Sequence, residues 1–295
     1  MKFLKNMLIY GKWRVRLMNI TYKYGFYVDN RLIVMDVRIN ADFQYYKKLK
    51  SLLQLQRVKG QGFVRLGGSA ADGHYVLLDS FKKDQIVYSF GINNDVSFDW
   101  AVADRGCQVF MYDHTINNLP RTRESFNFFK EGVAGEKSSS LPLDTLENYI
   151  KRNGHSSKSG MILKMDVEGA EWEALCATSS KVLKQFDQIV LEFHGLIKAC
   201  NIYDIQKRFA IFEKLNKTHQ LVHLHGNNTG HVVQLCGATF PDVIEVTYVN
   251  KARYKTFEDK NILLPTSLDL PNDKNRPDLV LGNWNAPLDE NMLLV

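Results

Sequence analysis

The sequence predicts an α/β fold: a seven-stranded, mostly parallel sheet with helices on both faces and one antiparallel edge strand. Three observations support this fold class. Short apolar runs recur along the chain from about residue 58, and most of them are followed by a loop and a helix-compatible segment. Such alternation is typical of parallel sheets. The last two runs have no long helix between them, which indicates a hairpin and therefore the antiparallel edge.

The predicted strands are, in chain order, 86–91, 107–113, 126–134, 161–166, 188–194, 220–226 and 243–249. The helix-compatible segments between them are 97–105, 143–152, 170–186 and 202–217. Together these elements form a predicted domain over residues 58–285. Residues 1–57 are interpreted as a helical or mixed extension with its best helix at 42–58, and residues 286–295 as a C-terminal tail. The segment after Lys251, rich in Pro, Asp and Asn, is expected to wrap the surface.

Composition and charge exclude several classes of protein. The chain has 295 residues, of which 45% are hydrophobic and 24% charged, as in an ordinary globular protein. Its four cysteines form no CxxC pair, which argues against a zinc ribbon or a redox motif. The net charge of +6 permits acidic partners, but the basic residues are spread along the chain, so a dedicated nucleic-acid surface is disfavoured.

The N-terminus carries no predicted signal peptide or membrane span. Its apolar stretch, residues 7–10, is short, and the charged residues Lys12, Arg14 and Arg16 come soon after it. For the chain as given we therefore favour a cytoplasmic protein, with the compartment left open.

The ends of the predicted strands indicate where chemistry occurs, because ligands of open parallel sheets bind beyond the carboxyl ends of the strands. The first strand ends on Gly91, where the backbone can approach a ligand, and the second ends on Asp113, where an acid can accept both hydroxyls of a ribose. Glycine and a spaced acid on consecutive strand ends indicate an adenosine-type cofactor. Neither a GxGxxG fingerprint nor a Walker A loop is present.

The stretch "ILKMDVEGAEWEAL", residues 162–175, ends a predicted strand on Asp166 and continues with Glu168 and Gly169. We expect Asp166 and Glu168 to be functional, because they lie at or just after a strand end. The alternative is that the acids here only favour the positive end of the following helix. For Glu171 and Glu173 the two interpretations are equally weighted.

Histidines form a second group of candidates. His194 ends the fifth strand beside Asp166, so it is a candidate general base. Alternatively, Asp166, His194 and an asparagine hold a divalent metal. His223 is expected to be a core residue that points opposite to His225. Glu192 needs a partner in its buried strand, for which Lys164 is a candidate.

The stretch "RLGGSAADGHYVLLD", residues 65–79, precedes the first strand. Arg65 could close over a carboxylate of the cofactor. The alternative is a simple hairpin whose glycines serve a tight turn.

Two blocks, "VYSFGINNDVSFDWAVADRGCQVFMYDHT" and "LKMDVEGAEWEAL", resemble the FkbM-type methyltransferase family and, more narrowly, its animal methyltransferase-like branch. The similarity also takes in the 65–79 stretch, "LEFHG", "LHGNN" and "PDVIEVTYVNK", and it spans residues 57 to 285. The resemblance implies a class I, Rossmann-like methyltransferase fold, S-adenosyl-L-methionine as cofactor, and methyl transfer usually to oxygen.

The resemblance also implies roles for individual residues. Gly91 and the loop to Asp95 would meet the methionine part of the cofactor, Asp113 the ribose, and Asp166 the sulfonium and the acceptor. The candidate cofactor-binding residues are Arg65, Gly91, Asn93, Asn94, Asp95, Asp113 and Asp166. The candidate catalytic residues are Asp166, Glu168 and His194, and no residue is assigned to a metal.

The function that this resemblance implies is methylation of a hydroxyl on a small molecule or glycan. One alternative is a catalytically silent binding module that keeps the fold. Another is a nucleic-acid methyltransferase, which is disfavoured because "DVEG" stands where base-amine methyltransferases carry an Asp/Asn-Pro-Pro-aromatic block. A nicotinamide dehydrogenase is disfavoured by the missing GxGxxG. The sequence indicates neither the acceptor nor the oligomeric state.

Overall fold

The structure is a computed structural model that describes residues 15–17, 24–28, 31–34, 36–68, 73–197 and 202–289. In chain order its elements are β1 (Val15–Leu17), β2 (Tyr24–Val28), β3 (Arg31–Val34), α1 (Asp36–Leu52), β4 (Gln56–Val58), β5 (Phe63–Gly67), β6 (His74–Leu78), β7 (Ile86–Phe90), α2 (Ser97–Ala103), β8 (Gln108–Tyr112), β9 (Phe126–Phe129), β10 (Gly132–Val133), β11 (Leu143–Asp144), α3 (Leu146–Arg152), β12 (Met161–Met165), α4 (Glu171–Ala177), α5 (Ser180–Leu183), β13 (Phe186–Phe193), α6 (Ile202–Thr218), β14 (His219–Gly226), β15 (Val232–Leu235), β16 (Ala238–Pro241), β17 (Ile244–Asn250), β18 (Thr256–Glu258), β19 (Leu263–Leu264) and β20 (Gly282–Asn283).

A seven-stranded mixed sheet with the order β14-β17-β13-β12-β7-β8-β9 forms the centre of the fold. Each of the seven predicted apolar runs supplies one of its strands. The strands from β13 to β9 are parallel to their neighbours, whereas β17 is antiparallel to both β13 and β14.

The prediction of an antiparallel edge strand is wrong in one respect. The antiparallel strand β17 lies between β13 and β14, so β14 forms the edge. All seven residues of β17 are buried. A buried strand must pair its backbone groups on both sides, and an interior place in the sheet does this.

The two faces of the sheet pack against different elements, because successive residues of a strand point to opposite faces. Leu163 of β12 belongs to a core cluster that includes Trp172 of α4 and Ile211 of α6. Its neighbour Ile162 belongs to a second cluster, with Val102 of α2 and residues of the β5–β6 hairpin. Helices on both faces are therefore confirmed.

Two helices differ from the prediction. The helix expected at 42–58 is α1, which ends at Leu52, because Gln56–Val58 pairs with Thr256–Glu258 instead. The segment 170–186 is not one helix but two, α4 and α5. Ser179 separates them, since its side chain accepts a hydrogen bond from Val182 N at 3.3 Å and so caps the second helix.

The segment after Lys251 does more than wrap the surface. It buries Asp269, Asn272 and Trp284 in the interior. Trp284 shares a core cluster with Tyr46 of α1. The proposed division into an extension, a domain and a tail stays a prediction.

No helix in the described parts of the chain is both long and apolar enough to cross a membrane.

Candidate functional site

The carboxyl ends of β7, β8 and β12 surround a cavity of about 450 Å³. This volume is within the range of about 300–1,000 Å³ that is usual for small-molecule sites. The predicted site residues in its wall are Gly91, Asn93, Asn94, Asp95, Asp113, Asp166 and Glu168. The residues that the sequence placed at or just after strand ends therefore lie in the wall of one cavity.

Gly91 is the point at which two loops of the cavity come closest. Its φ is +77°, and a Cβ built on it would lie 1.6 Å from the carbonyl oxygen of Asp166. Any side chain at this position would collide with the backbone after β12. The glycine is required by this close approach as well as by its backbone conformation.

Asp113 holds the loop that follows Gly91. Its Oδ2 accepts hydrogen bonds from the backbone N–H groups of Ile92 and Asn93, both at 2.8 Å. Its Oδ1 accepts from Thr115 N at 2.8 Å and from Thr115 Oγ1 at 2.6 Å. Burial alone would raise the pKa of Asp113, but these hydrogen bonds lower it overall. A carboxylate has about four acceptor sites, so these four donors occupy them.

Asp166 is kept ionised by its neighbours. The Tyr75 hydroxyl donates to its Oδ2 at 2.7 Å, and Lys164 Nζ lies 3.7 Å from the same oxygen. Burial opposes ionisation, but the charge of Lys164 and the hydrogen bond from Tyr75 lower the pKa of Asp166 overall. Lys164 also donates to the carbonyls of Phe90 and Gly91, which ties β12 to the end of β7.

His194 lies beside the cavity, outside the set of described residues that line it. Glu171 Oε1 accepts from His194 N at 2.8 Å and lies 3.1 Å from Nδ1. The other ring nitrogen, Nε2, lies 3.5 Å from Glu168 Oε2 and 4.0 Å from Asp166 Oδ1. Burial alone would lower the pKa of His194, but the hydrogen bond and charge of Glu171 and the charges of Asp166 and Glu168 raise it.

The acids after Asp166 differ in their surroundings. Glu171 is fully buried, and its second oxygen accepts from Gly169 N at 2.8 Å, so it fixes both the turn and the His194 ring. Glu173 is exposed and pairs with Lys207, as expected of a charge on a helix surface. Glu168, with φ +55° and an 88% exposed side chain, stands at the rim of the cavity.

Asp99 is a residue of the cavity wall that the sequence did not reveal. It is buried, and its Oδ1 has no hydrogen-bond partner among the residues that the structure describes. Burial raises the pKa of Asp99 to about 6, against the lowering effect of the Lys164 charge. The available signal was an acid in the first turn of the helix that follows the Gly91 loop.

The cavity wall is acidic. Its described carboxylates are Asp95, Asp99, Asp113, Asp166 and Glu168, and Lys164 is the one lysine or arginine among its described residues.

The structure does not bring Arg65 to this wall, as far as the described lining residues show. Arg65 lies on β5, and its Nη1 donates to the carbonyl of Gly68 at 3.1 Å. Residues 69–72, which follow Gly68 in the sequence, lie outside the described ranges.

Asp166, Glu192 and His194 each offer a donor atom, and these atoms lie within 4.8 Å of one another. The set could hold a divalent cation, with Glu192 in the place for which the sequence suggested an asparagine. Asn227 is not one of these donors, but it contacts one of them: its Nδ2 donates to Glu192 Oε1 at 2.7 Å. Lys164, the partner expected for Glu192, contacts Asp166 and the β7 carbonyls.

The expectation that His223 and His225 point in opposite directions is wrong. Residues two apart in a strand share a face. Both histidines face carboxylates of the C-terminal segment: His223 Nε2 lies 3.0 Å from Asp269 Oδ1, and His225 Nε2 lies 2.9 Å from Asp278 Oδ1.

Two solved structures are distantly similar to this chain. A putative hemolysin from Streptococcus thermophilus is 11% identical with a TM-score of 0.35, and the match covers 61% of this chain and 72% of that one. The fibrillarin pre-rRNA processing protein of Methanococcus jannaschii is 10% identical with a TM-score of 0.34, over 81% of this chain and 98% of that one. No curated protein sequence matches the chain significantly.

Comparison with family models finds one that covers the site. Residues 73–231, more than half of the 295-residue chain, match the model described as the methyltransferase FkbM domain. The matched segment runs from the first residue of the cavity wall, Gly73, past the last, Ala170, and includes His194. The chain therefore belongs to the FkbM methyltransferase domain family.

Proposed function

We propose that this protein is an S-adenosyl-L-methionine-dependent methyltransferase that methylates a hydroxyl oxygen of a small molecule or glycan. The observation that carries the proposal is the acidic wall of the cavity, with five carboxylates and one lysine among its described residues. The narrower assignment to the animal methyltransferase-like branch rests on the sequence blocks alone.

The charge of the wall fits this cofactor. S-adenosyl-L-methionine carries a sulfonium, an ammonium and one carboxylate, so its net charge is positive. Opposite charges attract strongly where water is partly excluded, because the effective dielectric constant there is low. Asp99 is a buried carboxylate of the wall, so its negative charge would attract the ammonium. Lys164 is the one lysine or arginine in the described wall, so its positive charge would attract the carboxylate.

The loop after β7 would hold the methionine part of the cofactor. Gly91 permits close approach of the backbone, and Asn93, Asn94 and Asp95 follow it along the wall. Asp113 receives four hydrogen bonds from this loop and from Thr115, so we assign it the task of shaping the loop, with the ribose against the 113–115 segment. When bound, the cofactor supplies an electrophilic methyl group attached to a positively charged sulfur.

The residues beside the rim would handle the proton of the acceptor. His194 Nε2 is the candidate base that takes this proton, because Glu171 holds Nδ1 and orients the ring. Asp166 and Glu168 then stabilise the resulting imidazolium from 4.0 Å and 3.5 Å. A general base of this kind contributes about 10²–10⁴-fold to a rate.

Calorimetric titration with S-adenosyl-L-methionine and S-adenosyl-L-homocysteine tests the cofactor. We expect binding in the micromolar range, weakened at least tenfold in Asp99→Asn. The matched control is Asp104→Asn, an acid at the end of the same helix that pairs with Arg123 on the surface. If the folded protein binds neither compound at millimolar concentration, the proposal fails and the silent binding module takes its place.

The divalent cation remains an alternative to the imidazole base, because Asp166, Glu192 and His194 offer suitable donors. The two differ in their response to a chelator. Turnover that is unchanged by EDTA supports His194 as the base, whereas turnover that is lost on chelation and recovers with Mg²⁺ supports the cation.

A further inference from the structure

A second cluster of metal-ligating side chains lies outside the cavity wall. His74 of β6, His225 of β14 and Glu245 of β17 are buried, and each offers a donor atom within 4.8 Å of the others. None of these three lines the cavity. The residues are far apart in the sequence, so no local spacing such as CxxC or HxxxH indicates them.

The contacts around His225 match those of a metal-bound histidine. Its Nδ1 lies 3.1 Å from Glu245 Oε2. Two ligands of a tetrahedral zinc ion, each about 2.0–2.1 Å from the metal, lie about 3.3 Å from each other. The opposite nitrogen, Nε2, lies 2.9 Å from Asp278 Oδ1. Metal-bound histidines usually donate their second N–H to a carboxylate or carbonyl in this way.

His74 has a comparable environment. Its Nε2 lies 3.1 Å from the carbonyl oxygen of Leu270. Because a carbonyl only accepts, Nε2 must carry the hydrogen, and in the neutral ring Nδ1 then carries the lone pair that a metal requires. The rings of His74 and His225 are 6.2 Å apart between centroids.

The charge of the surroundings favours a cation at this position. Glu245 stands directly opposite Glu192 on the neighbouring strand, and both are buried. Like charges directly opposite each other in a sheet are destabilising, and buried carboxylates are costly without compensation. The carboxylates of Asp269 and Asp278 add to the negative charge on the same side.

We propose that His74, His225 and Glu245 supply three of the four ligands of a zinc ion, with Asp278 as the hydrogen-bond partner that orients His225. Two imidazole nitrogens and one carboxylate oxygen are ligands that zinc accepts readily. The ion joins β6, β14 and β17. Through Leu270 and Asp278 it also secures the C-terminal segment.

The site is linked to the cavity through one residue. Tyr75 follows His74 in β6, and its hydroxyl donates to Asp166. A metal that anchors β6 therefore keeps Tyr75 in place, although it takes no part in the chemistry.

The alternative occupant is a proton. In that case His225 is an imidazolium shared by Glu245 and Asp278. Burial alone would lower the pKa of His225, but the hydrogen bonds with Asp278 and Glu245 raise it to about 10. The two alternatives differ in metal content, which can be measured.

The test is elemental analysis of the untagged full-length protein after loading with ZnCl₂ and removal of loosely bound metal. We expect about one zinc per chain, because one such ligand cluster is proposed. His225→Ala and His74→Ala should lose it. His231→Ala, at an exposed histidine, and Asp166→Asn, in the other donor set, should retain it.

The wild-type protein provides a measurement that does not depend on the variants folding. X-ray absorption at the zinc edge should report imidazole ligands at about 2.0–2.1 Å. Chelation should lower the Tm, and ZnCl₂ should restore it. Wild-type protein that retains no zinc and whose Tm is insensitive to chelation overturns the proposal in favour of the proton. Zinc retained in both histidine variants overturns the choice of ligands.

Discussion

Gly91 shows at the residue scale how one backbone position decides whether the cavity can form. In Gly91→Ala the new methyl group would meet Asp166 O, so we expect a loss of unfolding free energy of about 4 kcal/mol or more. Gly154→Ala is the matched control, because Gly154 has a similar φ of +74° but nothing within 4 Å of a built Cβ. Its cost should be about 1–2 kcal/mol. Urea denaturation of both variants checks the difference, and equal losses would contradict the close approach.

Glu171 is a positioning residue for His194. In Glu171→Gln the hydrogen-bonding shape is kept but the charge is lost, so the pKa of His194 should fall. Once a methyl acceptor is available, we expect kcat to drop about 10–100-fold with an unchanged KM for the cofactor. The pH at which the rate is half-maximal should move down. Glu173→Gln, which removes an exposed charge, is the control and should change neither.

The buried carboxyl of Asp99, which we propose to attract the cofactor, also makes the stability of the fold depend on pH. Its pKa is about 6 in the folded protein, above the ordinary value of 3.8, so the protonated form is favoured by folding. This contribution is present below pH 4 and is lost as the pH rises through about 6. At pH 8 the ionised group therefore costs about 2–3 kcal/mol relative to the protonated one. We expect Asp99→Asn to be more stable than wild type at pH 8 and nearly equal to it at about pH 3.5, below the ordinary pKa, as measured by urea denaturation. A stability difference that does not change with pH would contradict the raised pKa.

At the scale of the element, the break between α4 and α5 is controlled by Ser179. Its side chain caps α5, so Ser179→Ala should lower the unfolding free energy by about 0.5–2 kcal/mol. The adjacent Ser180 lies inside the helix, and Ser180→Ala should change little. If the two substitutions have the same effect on thermal unfolding, the cap is not responsible for the break.

The position of strand β17 in the sheet depends on a strand that is distant in the sequence. Its apolar run indicated a strand, and the missing helix before it indicated an antiparallel partner, and both were confirmed. Its place between β13 and β14 was not foreseen, because a chain-order argument considers only the preceding strand. The second partner, β13, is distant in sequence and pairs with β17 over residues 188–193.

At the scale of the whole molecule, one face of the sheet carries a row of ionisable side chains. Asp166 follows β12, and Glu192, Glu245 and His225 lie on the next three strands of the sheet, with Glu192 opposite Glu245 and Glu245 opposite His225. The row joins the cavity to the proposed zinc site. Buried charges of this kind are tolerated only where each has a partner, which explains why hydrogen-bonding residues from distant segments, such as Asn227, converge on it.

Trp284 connects the C-terminal segment to α1. It is buried, and its Nε1 donates to the carbonyl of Leu53 at 2.9 Å. Trp284→Ala should therefore lower the unfolding free energy by about 3–5 kcal/mol. Trp100→Ala, at a partly buried position under Arg121, should cost less. Denaturant unfolding measures both, and a small effect of Trp284→Ala would indicate that the N-terminal extension folds independently of the domain.

The sequence by itself determined the seven strands and the strand-end residues Gly91, Asp113 and Asp166, because apolar runs and the residues that end them are local properties of the chain. It also indicated the family through blocks that are contiguous. Only the tertiary structure decided the position of β17, the burial of Glu171 against His194, the place of Asp99 in the cavity, and the meeting of His74 with His225 and Glu245. The physical reason is that hydrogen bonds and charge pairs between distant segments depend on how the strands are ordered and how the faces pack. Neither the order of the strands nor the packing of the faces leaves a periodic pattern in the sequence.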